Sequence, residues 1–240
     1  MKRADYDHIF EEFKRRYTIK KTWNAYFNLF ISLCGSSSVL YSIVIFKSDL
    51  LDRLRYMTFN GTIFTSFVSF VTFVVSLLEL SKYTEVTKRS VYFLRLSSAC
   101  TEFVIFAVVL IGLLPILPDK PDIITYPGAM MHLVVPFCTL TSFIFNDAPI
   151  GKLKPYEPLY GTSLVTIYAI VSTIIFATGI LPSSMAPYSF LDFEHHSIFF
   201  SLSCLAVIYA IGYSISLLLS VLNRKLSWLW FKNLTNRIKQ

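Results

Sequence analysis

The chain has 240 residues, of which 54% are hydrophobic and only 15% charged, and its mean hydropathy is +0.57. An ordinary soluble domain is about 45–50% apolar and about 25% charged, so a water-soluble fold of this size could not hide so much apolar surface. The same arithmetic excludes a disordered chain, a disulfide scaffold and a nucleic-acid-binding module, and it leaves the formal charge of +7 as an orientation and headgroup signal at a membrane.

Residues 1–22 mix bases with Asp5, Asp7, Glu11 and Glu12, and Tyr6, Ile9, Phe10, Phe13 and Tyr17 recur at roughly helical spacing. That pattern predicts a cytoplasmic, interfacial amphipathic segment leading into an uncleaved anchor rather than a signal peptide. Six apolar blocks follow, at 23–46, 57–80, 91–117, 125–145, 157–181 and 197–222. A transmembrane helix takes about 20 such residues, and lipid offers no partner to a free N–H or C=O, so each block is expected to be helical. Short connections make 23–222 one domain, followed by a basic tail, 223–240. The expected fold class is therefore all-α, a polytopic bundle of six transmembrane helices. Lys and Arg number 17 on one side of this layout and four on the other, which predicts that both termini are cytoplasmic.

Cys34, Cys100, Cys138 and Cys204 fall one per span without CxxC spacing and read as small apolar residues. Polar residues inside the spans are costly and are functional candidates by default. Toward the outer side these are Thr58, Asn60 and His132, together with Tyr188, Ser189, Asp192, Glu194, His195 and His196 of the last outer loop. Glu102 lies near mid-membrane; Glu79, Arg95, Asn146 and Asp147 lie near the cytoplasmic ends, where Glu79 and Arg95 are expected to snorkel or pair. His132 is the one histidine in a span interior, and a neutral imidazole can take up and return a proton near neutral pH; the competing reading is an interhelical hydrogen bond. Threonine in a membrane helix ordinarily bonds back to its own helix, so Thr58 alone carries little. Asp192 can orient an imidazole, and Tyr188 or Ser189 can donate to a developing oxyanion. His195 and His196 beside Asp192 and Glu194 raise a metal site, but no HExxH-type spacing accompanies them. No cofactor is implied.

Three segments, Tyr56-Met57-Thr58-Phe59-Asn60, Met131-His132-Leu133-Val134-Val135-Pro136 and Pro187-Tyr188-Ser189-Phe190-Leu191-Asp192, in this order within a six-span layout, resemble the androgen-induced-gene-like family of integral membrane proteins. The resemblance extends over almost the whole chain and includes bacterial relatives. It implies an intramembrane hydrolase that cleaves fatty acid esters of hydroxy fatty acids to two free fatty acids, with Thr58 as nucleophile and His132 as general base and acid. Asp192 falls in the matching Phe-Leu-Asp motif. Many bacterial relatives carry Ser-Asn where this sequence has Gly61-Thr62, which leaves the particular ester open. The partners expected on this reading are a lipid-ester substrate, its products and membrane lipids. A proton-coupled transporter using Glu102 and His132 would show an internal repeat and mid-membrane helix breaks; no repeat is visible and Pro136 is the only proline deep in a span. A non-enzymatic scaffold would use the basic termini to hold lipid or a partner.

Overall fold

The computed structural model describes residues 3–46, 50–82, 89–113, 126–147 and 153–238. The helices among them are α1 (Arg3–Phe46), α2 (Leu50–Leu54), α3 (Met57–Lys82), α4 (Arg89–Ala107), α5 (Val135–Phe145), α6 (Ser163–Ala177) and α7 (Ile198–Ile238). A π-helical segment, Val108–Leu113, extends α4, another, Met130–Val134, leads into α5, and a 3₁₀ turn, Glu157–Thr162, leads into α6. No strand occurs among the described residues. Five helices are long and apolar enough to cross a membrane: Lys14–Val44, Met57–Ser81, Arg89–Ile111, Glu157–Ala177 and Ile198–Leu229. This supports a multi-pass helical membrane protein.

One difference from the sequence reading has a local cause. The fourth apolar block resolves into a shorter apolar helix, Met130–Phe145, which follows a turn at Tyr126 and Pro127; Thr125 lies outside the described residues, as do 114–117 of the third block. The N-terminal segment is helical, and α1 runs unbroken through residue 22 into the first apolar block. The basic tail likewise continues α7 to Ile238. No Pro or Gly interrupts either junction, so nothing stops the helix there.

Lipid-facing and interior surfaces differ in an unusual sense. Large apolar side chains such as Ile111, Phe199, Val44 and Phe67 point outward, as expected where the solvent is hydrocarbon. The interior is instead rich in small and polar residues. On α3, Thr62, Thr65, Ser69, Thr72, Ser76 and Glu79 are all buried, spaced alternately by three and four, so they form one stripe along the helix. The central helix is α4, whose Ser97, Ser98, Ala99, Cys100 and Thr101 are fully buried. Small side chains let neighbouring backbones approach closely, and α4 accordingly packs against α3, α5, α6 and α7. Leu96, Ala99, Cys100, Tyr92, Phe143 and Leu219 form its apolar contact.

Gly161 shows how tight this packing is. A Cβ there would lie 2.0 Å from Ser216 Oγ, 2.7 Å from Ser216 Cβ and 3.1 Å from Leu96 Cγ. Ser216 is itself held by its bond to the Pro158 carbonyl at 2.6 Å. Gly161→Ala is expected to destabilise the protein by about 1–3 kcal/mol, the usual cost of overpacking, measurable as a lowered unfolding temperature in nanodiscs.

One end of the bundle gathers charge. Arg95 Nε donates to Asp147 Oδ2 at 2.9 Å, and its other nitrogens reach Ser69 Oγ at 3.3 Å and Ser142 Oγ at 3.1 Å. Lys21 Nζ lies 2.5 Å from Glu79 Oε2. Asn223 Nδ2 donates to the Phe143 and Asp147 carbonyls at 2.8 and 3.0 Å. All these groups are buried. Glu79 and Arg95 do pair across neighbouring helix ends, as expected, and both pairs lie inside the bundle. Because Lys21 begins the span of α1 while Glu79 ends α3, and Arg95 lies early in α4 while Asp147 follows α5, successive long helices run antiparallel.

Candidate active site

The opposite end of the bundle holds the sequence-predicted residues. Thr58 is the second residue of α3 and is half-buried. The N–H groups of the first turn have no partner within their own helix, and the helix dipole is positive there. Asn60, one turn in, folds its amide back: Nδ2 donates to the Leu54 carbonyl at 2.6 Å and to the Tyr56 carbonyl at 3.0 Å. It thereby staples the corner between α2 and α3. Arg55 in that corner pairs with Asp52 at 3.2 Å and donates to the Met185 carbonyl at 2.5 Å, tying the corner to the outer loop.

His132 sits in the middle of the π segment Met130–Val134, where the Val135 N–H bonds the Met130 carbonyl, five residues back. Pro136 explains the widened turn: it has no N–H to give the His132 carbonyl, and its ring would collide with that carbonyl in a regular α-helix. Such π segments are frequent at functional sites. His132 is half-buried, and its Nδ1 is buried without a hydrogen-bond partner among the described residues.

The register of the three helices relates the two residues. Gly35 of α1 lies against Ser66 and Thr62 of α3. Six residues further along α1, the Tyr41 ring meets Tyr126 at 4.7 Å, and His132 is six residues beyond Tyr126 on an antiparallel path. His132 therefore stands near the level of Thr62 and Ser66, one to two turns, roughly 6–12 Å, from the level of Thr58. The π segment touches both α1 and α3, but no hydrogen bond joins Thr58 to His132 among the described residues. Both thus lie toward the same end of the bundle without forming a closed dyad.

The last outer loop contributes differently from its reading in sequence. Asp192 orients an imidazole, but that of His195: Nδ1 lies 2.7 Å from Asp192 Oδ2, while the Glu194 and His195 N–H groups donate to Oδ1 at 3.2 and 3.3 Å. Partial desolvation raises the Asp192 pKa, but these bonds outweigh it and hold the carboxyl below its ordinary value. The pairing is thus present at neutral pH and is lost as pH falls through that lowered value. Asp192, Glu194 and His195 also bring possible metal-ligand atoms within 4.8 Å of one another, although Asp192 and His195 already satisfy each other. Tyr188 stacks on Phe190 and meets Tyr168 edge-on. Burial raises its phenol pKa, partly offset by interactions with the Met57 backbone and the Tyr168 hydroxyl. Tyr188 therefore reaches the start of α3, one residue from Thr58. The side chain of Ser189 lies outside those described.

Comparison with protein-family models, with curated proteins and with solved structures finds no match for this chain. The structure brings further residues into the buried polar network. Lys21, Asn24 and Asn28, spaced for one helical face, are buried against the Arg95 cluster, where Asn28 Nδ2 lies 3.4 Å from Ser142 Oγ; their spacing was a readable signal. Tyr168, whose hydroxyl donates to the Arg55 carbonyl, had no such signal. Glu102 is fully buried, with neither carboxyl oxygen meeting a hydrogen-bond partner among the described residues.

Proposed function

We propose that this chain is an intramembrane lipid-ester hydrolase of the androgen-induced-gene-like type, with six spans, both termini cytoplasmic and its site toward the non-cytoplasmic half. Thr58 is the nucleophile and His132 the general base and acid. The supporting observation is the state of the Thr58 hydroxyl. Thr62, Thr72, Thr141, Thr166 and Thr178 each donate to the carbonyl four residues back, and the hydroxyls of Thr101, Thr139 and Thr173 are buried without a partner among the described residues, whereas Thr58 makes no side-chain hydrogen bond among them and is not fully buried. It is half-accessible, beside first-turn N–H groups able to receive an oxyanion.

On this reading Thr58 Oγ attacks the ester carbonyl carbon while its proton passes to His132. The tetrahedral oxyanion collapses, the hydroxy fatty acid leaves as an alcohol with the proton from His132, and an acyl-threonine remains. Water, deprotonated by His132, attacks the acyl carbon, and the fatty acid and free Thr58 result. The orphaned Nδ1 of His132 suits a group that acquires its partner when substrate arrives, since catalytic hydrogen bonds are often long before the reactants are bound.

The test is purified protein in nanodiscs with a fluorophosphonate probe and a panel of esters of hydroxy fatty acids. Labelling at Thr58, located by mass spectrometry, together with hydrolysis is the expected result; neither in folded protein overturns the reading. His132→Gln is expected to lower turnover by about 10²–10⁴-fold, the usual contribution of a general base. The buried polar stripe of α3 with Glu102 is the observation that favours proton-coupled transport instead; in that case substrate flux persists in Thr58→Ala and falls in Glu102→Gln.

A further inference from the structure

Glu102 lies in the interior of the bundle on α4 and is fully buried, yet neither carboxyl oxygen meets a hydrogen-bond partner among the described residues. Thr101 Oγ1, on the same turn, is buried and unpartnered in the same way. Across the α3–α4 contact the Thr65 hydroxyl is a polar neighbour of the carboxyl. One turn before Glu102, Ser98 Oγ donates to Thr65 Oγ1 at 3.0 Å. The two helices are close here, since a Cβ on Gly61 would lie 3.0 Å from Thr101 Cγ2. Carboxyl and hydroxyl oxygens of both helices therefore gather at one level. Among the described residues no Lys or Arg pairs with Glu102; Arg95, two turns away along α4, is bound to Asp147.

An ionised carboxylate buried alone is too costly to persist, so Glu102 carries either a proton or a bound cation. A carboxylic acid has an O–H to donate, and neither Glu102 oxygen has an acceptor within hydrogen-bond distance among the described residues. A cation needs no such acceptor. It sits between oxygens, which then stand further apart than hydrogen-bonded ones. One carboxylate balances one positive charge, and hard oxygen donors without imidazole or thiolate suit an alkali cation rather than a transition metal. We propose that Glu102, Thr65 and Ser98 form a binding site for a monovalent alkali cation between α3 and α4. The Glu102 carboxylate is its charge partner, and the two hydroxyls are neutral oxygen donors. The site is separate from Thr58 and His132 and does not rest on the hydrolase reading. Because the ligands come from two helices, an occupied site ties α3 to α4, and the cation stabilises the folded bundle by mass action.

The experiment follows thermal unfolding of the full chain in nanodiscs, in sodium, potassium, lithium or choline chloride at equal ionic strength. The unfolding temperature is expected to be higher in at least one alkali salt than in choline. The rise should reach roughly 5 °C once the cation is about a hundred-fold above its Kd. Thr65→Val keeps the side-chain volume and removes the oxygen, so it is expected to raise the half-saturating cation concentration about five-fold, the scale of one neutral oxygen contact. A second measurement uses the unaltered chain and so does not depend on a variant folding. Dicyclohexylcarbodiimide adds to a protonated carboxyl, and the N-acylurea formed at Glu102 is located by mass spectrometry. Its formation is expected to slow by at least about ten-fold in the stabilising salt relative to choline, because a bound cation excludes the proton. Equal unfolding temperatures and equal labelling in all four salts would show a carboxyl that holds a proton only, and would overturn the inference. A salt-dependent rise that persists undiminished in Glu102→Gln overturns it as well.

Discussion

Thr58→Ala is expected to lose fluorophosphonate labelling and ester hydrolysis together, by at least about 10³-fold, the scale on which removal of a covalent nucleophile acts. The comparison is informative because the substitution is mild structurally. The Thr58 side chain is half-buried and makes no hydrogen bond among the described residues, so its unfolding free energy is expected to stay within about 0.5 kcal/mol of wild type. Loss of activity at unchanged stability would isolate the hydroxyl as a chemical group. Thr58→Ser retains that hydroxyl and is expected to keep measurable labelling. A folded Thr58→Ala protein with full turnover would end the proposal, and attention would move to Glu102 and to transport.

The second large effect lies at the other end of the bundle. Arg95 is 1% exposed and contacts Asp147, Ser69 and Ser142. Arg95→Ala leaves the Asp147 carboxylate buried without its counter-charge, which is expected to cost about 3–5 kcal/mol. The protein should then unfold at markedly lower temperature or fail to accumulate in the membrane. Replacing both partners, Arg95→Met with Asp147→Leu, removes the charge and its desolvation together, so most of the loss is expected to return. A double variant as unstable as Arg95→Ala would show that the cluster holds the fold through its hydroxyl contacts rather than through the ion pair. Thermal unfolding followed by tryptophan fluorescence distinguishes the two.

Much of the architecture was readable because membrane insertion acts on local properties. About 20 consecutive apolar residues suffice to span hydrocarbon, and every backbone polar group must be satisfied within its own helix; neither condition refers to a distant residue. The five long apolar helices follow from that alone. The interior face of α3 was equally present, since Thr58, Thr62, Thr65, Ser69, Thr72, Ser76 and Glu79 keep a strict three-four spacing. Pro136 likewise announced the widened turn at His132. The helix continues through residue 22 for an equally local reason: a change of polarity along a chain does not break a helix, and only a residue that cannot hold helical geometry does.

What the sequence left open were the partnerships made at hydrogen-bond distance between distant residues. Asp192 can orient any nearby imidazole, and packing gives it His195. Arg95 can pair with several carboxylates, and the crossing of α4 over α5 selects Asp147. Tyr168 is one of 14 tyrosines, and nothing in its neighbours shows that its hydroxyl ends on a carbonyl 113 residues earlier. The physical reason is range. Hydrophobic burial depends on composition summed over a whole helix and tolerates displacements of a few ångströms. A hydrogen bond decays within about 0.5 Å of its optimum, so the helix register and the outer loop decide which polar groups meet, and those exist only in the folded bundle.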